Sequence, residues 1–164
     1  MSEMEEGMIR LATALDKQDM IGFTRSFVSD IRKGREAVNR ELLPWLVDLD
    51  TGWSGVLCLG MGGSAAGGDF LSILSDESGA VPVRCQRGYD LPNWWTPDWL
   101  VLATSYSGNT EETLESCNQA LENGATIVVV ASGGELAGMC ELSDRAYLIS
   151  VSYTHLTLPT THGV

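Results

Sequence analysis

From Gly55 onward, short apolar runs alternate with segments whose apolar residues recur at helical spacing. The runs are Val56–Leu59, Val81–Cys85, Trp99–Thr104, Thr126–Ala131 and Arg145–Ser150. Taken together the runs are continuous and apolar rather than alternating, as strands covered on both faces are. After the first run Ala66, Phe70, Ile73 and Leu74 share one helical face; after the third, Leu114, Cys117 and Leu121 do. Strands alternating with amphipathic helices predict a doubly wound α/β fold around a mostly parallel five-stranded sheet. Ahead of it, Leu11, Leu15, Ile21, Val28, Ile31, Val38 and Leu42 recur near helical spacing. With a break expected across Asp16–Asp19 and a stop at Pro44, this reads as one or two leading helices.

The pattern divides the chain into an N-terminal helical segment (1–47), an α/β domain (48–150) and an atypical tail (151–164). The tail, VSYTHLTLPTTHGV, contains no Asp, Glu, Lys or Arg. It is expected to be a frayed extension, or translated adapter sequence rather than native chain. Trp94, Trp95 and Trp99, among Pro92 and Pro97, are expected to form a connection packed on the sheet edge.

Composition narrows the function classes. The 164 residues, 44% apolar, suffice for one core. Net charge is −12, which disfavours binding to nucleic acid or to anionic membrane surfaces. The longest clean apolar stretch, Thr126–Ala131, is far too short to cross a bilayer, and the acidic start MSEMEEGM is unlike a secretory signal. A cytoplasmic location is the expectation. Cys58, Cys85, Cys117 and Cys140 are widely spaced with no CxxC pair, so they read as reduced core thiols and no metal site is expected. Both histidines, His155 and His162, fall in the tail, so residues 1–150 hold no imidazole for general base work.

Two loops carry the candidate chemistry. Gly60–Gly68 (GMGGSAAGG) lies between the first strand and its helix. Its glycines permit positive φ and leave backbone N–H groups unobstructed, and the helix start adds free donors and partial positive charge. Ser64 is placed to cap that helix and to offer a hydroxyl to an anion. Gly60, Gly62 and Ala65 also satisfy G-x-G-x-x-A, the dinucleotide fingerprint. That reading lacks its ribose-binding acid: the second strand ends Cys85-Gln86-Arg87, and the first acid after it is Asp90. The second loop is Ser105–Thr110 (SYSGNT), ahead of a helix beginning at Glu111. Asn109 and Glu112 make a capping pair there. Capping leaves Ser105, Ser107 and Thr110 unexplained, whereas hydroxyls and amides together suit a phosphate monoester. Glu111 and Glu112 must point away for that to hold.

These stretches together resemble a sugar isomerase (SIS) domain, and most closely that of the bifunctional phosphoglucose/phosphomannose isomerases. Gly60–Ser64 is similar to that family's Gly-Met-Gly-Gly-Ser turn, Ser105–Thr110 to its Ser-Tyr-Ser-Gly-Asn-Thr, and Ala131–Gly134 to a later turn. The resemblance runs from about Leu11 to Ile149. It implies a three-layer α/β/α SIS domain with a five-stranded sheet. It also implies that Gly62, Gly63, Ser64, Ser105, Ser107 and Thr110 bind the phosphate of a hexose 6-phosphate. The implied reaction interconverts glucose or mannose 6-phosphate with fructose 6-phosphate through an enediolate, in a homodimer, without metal or organic cofactor.

Such a reaction needs a base between C1 and C2, an acid/base to open the ring and a cation for the developing charge. The resemblance assigns these to an arginine past the fifth strand and to a glutamate and a histidine of a second SIS half. No arginine follows Arg145, and His155 and His162 do not stand where that histidine would. The chain therefore reads as an N-terminal fragment that holds the phosphate cradle, has no catalytic residue of its own and is inactive by itself. Two alternatives keep the fold: a non-catalytic module that senses a phosphosugar, and another SIS enzyme such as an amidotransferase isomerase domain or a ketose-phosphate isomerase.

Overall fold

The computed structural model describes residues 3–16, 20–38, 41–47, 49, 52–79 and 81–151. The chain falls into two compact units, Met1–Val47 and Asp48–Val164. The first contains helices α1 (Glu3–Leu15) and α2 (Met20–Ala37) and a 3-10 turn at Pro44–Val47. Two leading helices are therefore present, and residues 17–19 of the expected break lie outside the described set.

The second unit runs β1 (Gly55–Leu59), α3 (Ala66–Ser78), β2 (Val83–Gln86), β3 (Trp99–Thr104), α4 (Glu111–Glu122), β4 (Ile127–Ala131), α5 (Gly134–Leu142) and β5 (Ala146–Ser150). All five strands are parallel, in the order β2-β1-β3-β4-β5. The chain steps from β1 to one neighbour, β2, and returns past β1 to the other, β3. The crevice between the carboxyl ends of β1 and β3 is thus the topological switch point, where open α/β sheets bind ligands. Val151 extends the last ladder, its N–H donating to the Ala131 carbonyl at 3.0 Å. The rest of the expected tail, including His155 and His162, lies outside the described residues.

The fully buried core lies on one side of the sheet. Leu57 and Leu59 of β1, Val101 and Ala103 of β3, and Ile127, Val129 and Ala131 of β4 alternate inward and meet Cys117, Ala120 and Leu136 of α4 and α5. Leu114 and Leu121 pack on that cluster, so the apolar face expected for α4 is the face it buries. The face expected for α3 is not. Phe70, Ile73 and Leu74 are 65%, 57% and 59% exposed. Instead α3 meets the sheet with Gly68, Ser72 and Ser75, whose hydroxyls donate to the Val83 and Val81 carbonyls at 3.1 and 2.5 Å. Small residues let this helix approach closely, and its large apolar residues are left outside.

No helix joins β2 to β3. The connection runs along α4, whose Ser116 hydroxyl donates to the Gly88 carbonyl and whose Gln119 amide donates to that of Tyr89. Its tryptophans do not sit at a sheet edge as expected. The Trp99 ring lies where a side chain at Gly55 would stand, capping the paired starts of β1 and β3. Trp94 stacks obliquely on Trp99 with centroids 4.9 Å apart.

Candidate functional site

Both chemistry-bearing loops emerge at the switch point. β1 and β3 pair in register through Leu59↔Ala103, so the chain leaves both strands side by side. They approach so closely that a Cβ at Gly60 would stand 3.0 Å from the Thr104 carbonyl oxygen. Gly60 is a spacing requirement of this crossing.

The first loop is shorter than the glycine run suggests. Gly62–Ala65 forms one 3-10 turn, closed by Ser64 N–H donating to the Met61 carbonyl at 3.1 Å, and α3 starts at Ala66. Gly67 and Gly68 are therefore helical rather than loop residues. Gly62 has φ +52° with open space beside its Cα, a conformation that favours glycine. The N–H groups at the start of such a turn have no acceptor within it. Ser64 does not cap α3 as expected. The N-cap position belongs to Ala65, with no side-chain cap, because the 3-10 turn carries the chain into the helix. The half-buried Ser64 hydroxyl caps neither turn nor helix.

The second loop is braced from behind. Ser105 is 2% exposed, and its hydroxyl pairs with that of Thr110 at 2.8 Å. One of their two hydroxyl hydrogens is used between them, leaving one to donate outward. Ser107 is exposed and accepts the Asn109 N–H at 3.2 Å, so its own O–H stays free to donate. Thr110 occupies the N-cap of α4 without a side-chain cap, since its hydroxyl is engaged with Ser105. Gly108, at φ +68°, fits directly against the Gly133 carbonyl and leaves no room for a side chain.

Asn109 departs from expectation. Instead of pairing with Glu112, its Oδ1 accepts the Glu135 N–H of α5 at 2.9 Å. The Gly108 carbonyl accepts the Leu136 N–H at 3.0 Å, and Ser132 donates both N–H and hydroxyl to the Tyr106 carbonyl. The turn after β4 thus latches the Ser105–Thr110 loop. Sequence reasoning missed this role for Asn109 and Ser132; adjacent glycines at Gly133-Gly134 were its one visible signal.

The negative charge of Glu112, ahead of desolvation and the charge of Glu111, holds the Tyr89 phenol above its ordinary pKa. Asp69, in the first turn of α3, is paired with Arg87 at 2.6 Å. Neither loop contains Lys or Arg, so its donors are amides and hydroxyls. Among the described residues no group of three or more His, Cys, Asp or Glu is placed to hold a metal ion.

The five-stranded parallel α/β fold is similar to that of solved phosphosugar isomerases. The chain superposes on tagatose-6-phosphate ketose/aldose isomerase from Escherichia coli with a TM-score of 0.54 at 21% identity, covering 74% of this chain and 35% of that one. It also matches the Vibrio vulnificus NanR protein complexed with ManNAc-6P, with a TM-score of 0.55 at 17% identity over 87% and 55% of the two chains. No family model matches the sequence. In sequence the chain is similar to bifunctional phosphoglucose/phosphomannose isomerases. It is 42% identical to that of Caldicellulosiruptor bescii over 86 residues, or 52% of this chain and 25% of the relative. It is 38% identical to that of Thermoplasma acidophilum over 87 residues, or 53% and 27%. The match spans about a quarter of the length of these curated relatives.

Proposed function

We propose that this chain carries the phosphate cradle of a phosphoglucose/phosphomannose isomerase. The ligand is a hexose 6-phosphate, held by Gly62, Gly63 and Ser64 on one side and by Ser105, Ser107 and Thr110 on the other. The observation that carries this reading is the meeting of both loops at the β1/β3 switch point, in a chain 42% identical to such an isomerase over 86 residues. The free hydroxyl hydrogens of Ser64 and Ser107, one from the Ser105–Thr110 pair and the N–H groups of the glycine turn supply donors to a dianion. A site built of short neutral donors binds and still releases its ligand.

Residues 1–150 contain no histidine, so an imidazole that opens the sugar ring would be supplied from outside this domain. The 1–164 chain is accordingly expected to bind glucose 6-phosphate and fructose 6-phosphate without interconverting them. The test is isothermal titration with glucose 6-phosphate against Ser107→Ala. Losing a hydrogen bond to a charged group costs about 1.5–3 kcal/mol, or about ten- to hundred-fold in Kd. Unchanged affinity in that variant would refute the cradle, and turnover by the purified chain would refute the division of labour. The absence of imidazole also fits a phosphosugar-sensing module, for which a complete gene product would bind without turnover.

A further inference from the structure

Cys58 and Cys85, distant in sequence, are direct partners in the β1–β2 ladder. Neighbouring strands run about 4.8 Å apart, so directly opposed Cα atoms fall within the roughly 4.4–6.8 Å that a disulfide spans. The two side chains leave the same face of the sheet, and both sulfurs meet one point of α3. A Cβ built on Gly68 would lie 3.0 Å from the Cys85 sulfur and 3.3 Å from that of Cys58. The two thiols are close enough to shift each other's titration, and the Asp69 carboxylate lies beside Cys85. Cys58 is 6% exposed, whereas Cys85 is half-buried on the short edge strand.

We propose that Cys58 and Cys85 are a reversible dithiol–disulfide pair, oxidised by low-molecular-weight disulfides that enter at Cys85. Cys85, as thiolate, attacks the small disulfide RS–SR; a Cys85–SR bond forms and one RS⁻ leaves, taking up a proton. Cys58, as thiolate, then attacks the Cys85 sulfur; the Cys58–Cys85 bond forms and the second RS⁻ leaves and is protonated. The two cysteine thiols lose two electrons and two protons, and RS–SR becomes two RSH. The bridge locks edge strand β2 onto β1 beneath the glycine loop. It needs the Cβ atoms to draw together, and a strained bridge is readily reduced.

Charges around the pair set its pace. Burial raises the Cys85 pKa, as do the hydrogen bond and negative charge of Asp69, while Arg87 opposes them. Burial, then the neighbouring sulfur, pushes Cys58 up to about 12. The reactive thiolates are scarce at neutral pH, so oxidation should quicken by about tenfold per pH unit through the mildly alkaline range.

Reduced 1–164 chain, incubated with oxidised glutathione at graded pH, quenched in acid and mapped by proteolysis and mass spectrometry, tests this. The expected product is a peptide pair cross-linked at Cys58–Cys85 and released by dithiothreitol. Cys117 and Cys140 should remain free for alkylation, since Cys117 is fully buried and the Cys140 thiol donates to the Leu136 carbonyl. Cys58→Ser should trap glutathione on Cys85, and Cys85→Ser should leave Cys58 reduced. Persistence of four free thiols in the wild-type chain would overturn the proposal, as would glutathione lodged on Cys85 without resolution. A Cys117–Cys140 link as the main product would overturn it too. None of these readouts depends on hexose-phosphate binding.

Discussion

Two strand–loop–helix units stand side by side in this sheet, β1–α3 and β3–α4, and each delivers half of the candidate cradle. They are held in opposite ways. α4 presses Cys117 and Ala120 into the fully buried cluster, and its loop is latched by the turn after β4. α3 touches the sheet through Gly68, Ser72 and Ser75, keeps Phe70, Ile73 and Leu74 in solvent, and rises from a single 3-10 turn. One unit rests on apolar burial and the other on close approach with hydroxyl-to-carbonyl bonds. A phosphate held between them, as proposed, would join a braced wall to a lightly held one.

The largest expected effect breaks the braced side. Leu57 is fully buried among Val101, Ile127 and their neighbours. Leu57→Ala removes its contacts and leaves a cavity, so urea unfolding should show a loss of about 2–5 kcal/mol. A loss below about 1 kcal/mol would mean that this face is not the core.

Adjacent glycines of α3 should then respond with opposite signs. Gly68→Ala places a methyl 2.7 Å from the Cys58 Cβ, where the strand cannot give way, and overpacking of this kind costs about 1–3 kcal/mol. Gly67 is helical with nothing within 4 Å of an added Cβ. Gly67→Ala should therefore stabilise by about 0.5–1 kcal/mol through helix propensity alone. Thermal melts that move both variants the same way would contradict the close-approach account of α3.

Strand placement was most legible at β1 and β4, which are buried at nearly every residue and read as unbroken apolar runs. Edge strand β2, by contrast, carries the exposed Arg84. The direction of α3 was not legible. Phe70, Ile73 and Leu74 at helical spacing mark a helix with one apolar stripe, yet spacing does not say whether that stripe meets the sheet. A second stripe at the same spacing, Gly68, Ser72 and Ser75, is the one the sheet accepts. The candidate cradle residues were legible as loop chemistry because hydroxyls and glycines cluster locally. Asn109 was misread for the converse reason: its local spacing to Glu112 mimics a cap, while its partner is the backbone of Glu135.

Asn109→Ala sharpens the difference between the loops. It deletes the acceptor at the start of α5, and a lost helix-capping bond costs about 0.5–2 kcal/mol. Hydrogen exchange should show the Glu135 amide losing protection while amides of α3 keep theirs. Asn109→Asp retains an acceptor oxygen and should restore that protection. If Asn109→Ala leaves the Glu135 amide protected, the latch is held by Gly108 and Ser132 alone.

The smallest expected effect returns to the outer stripe of α3. Phe70 is the largest of its apolar residues and is 65% exposed, so Phe70→Ser removes little buried area. Substitutions at such positions stay within about 0.5 kcal/mol, and the unfolding midpoint in urea should barely move. Phenylalanine and serine have similar, modest helix propensities, so the backbone contributes no offsetting change. The contrast with Leu57→Ala is then close to the whole range a single side chain can span in this domain. A loss above about 1 kcal/mol at Phe70 would put this stripe inside a packed interface in solution and erase the asymmetry between α3 and α4.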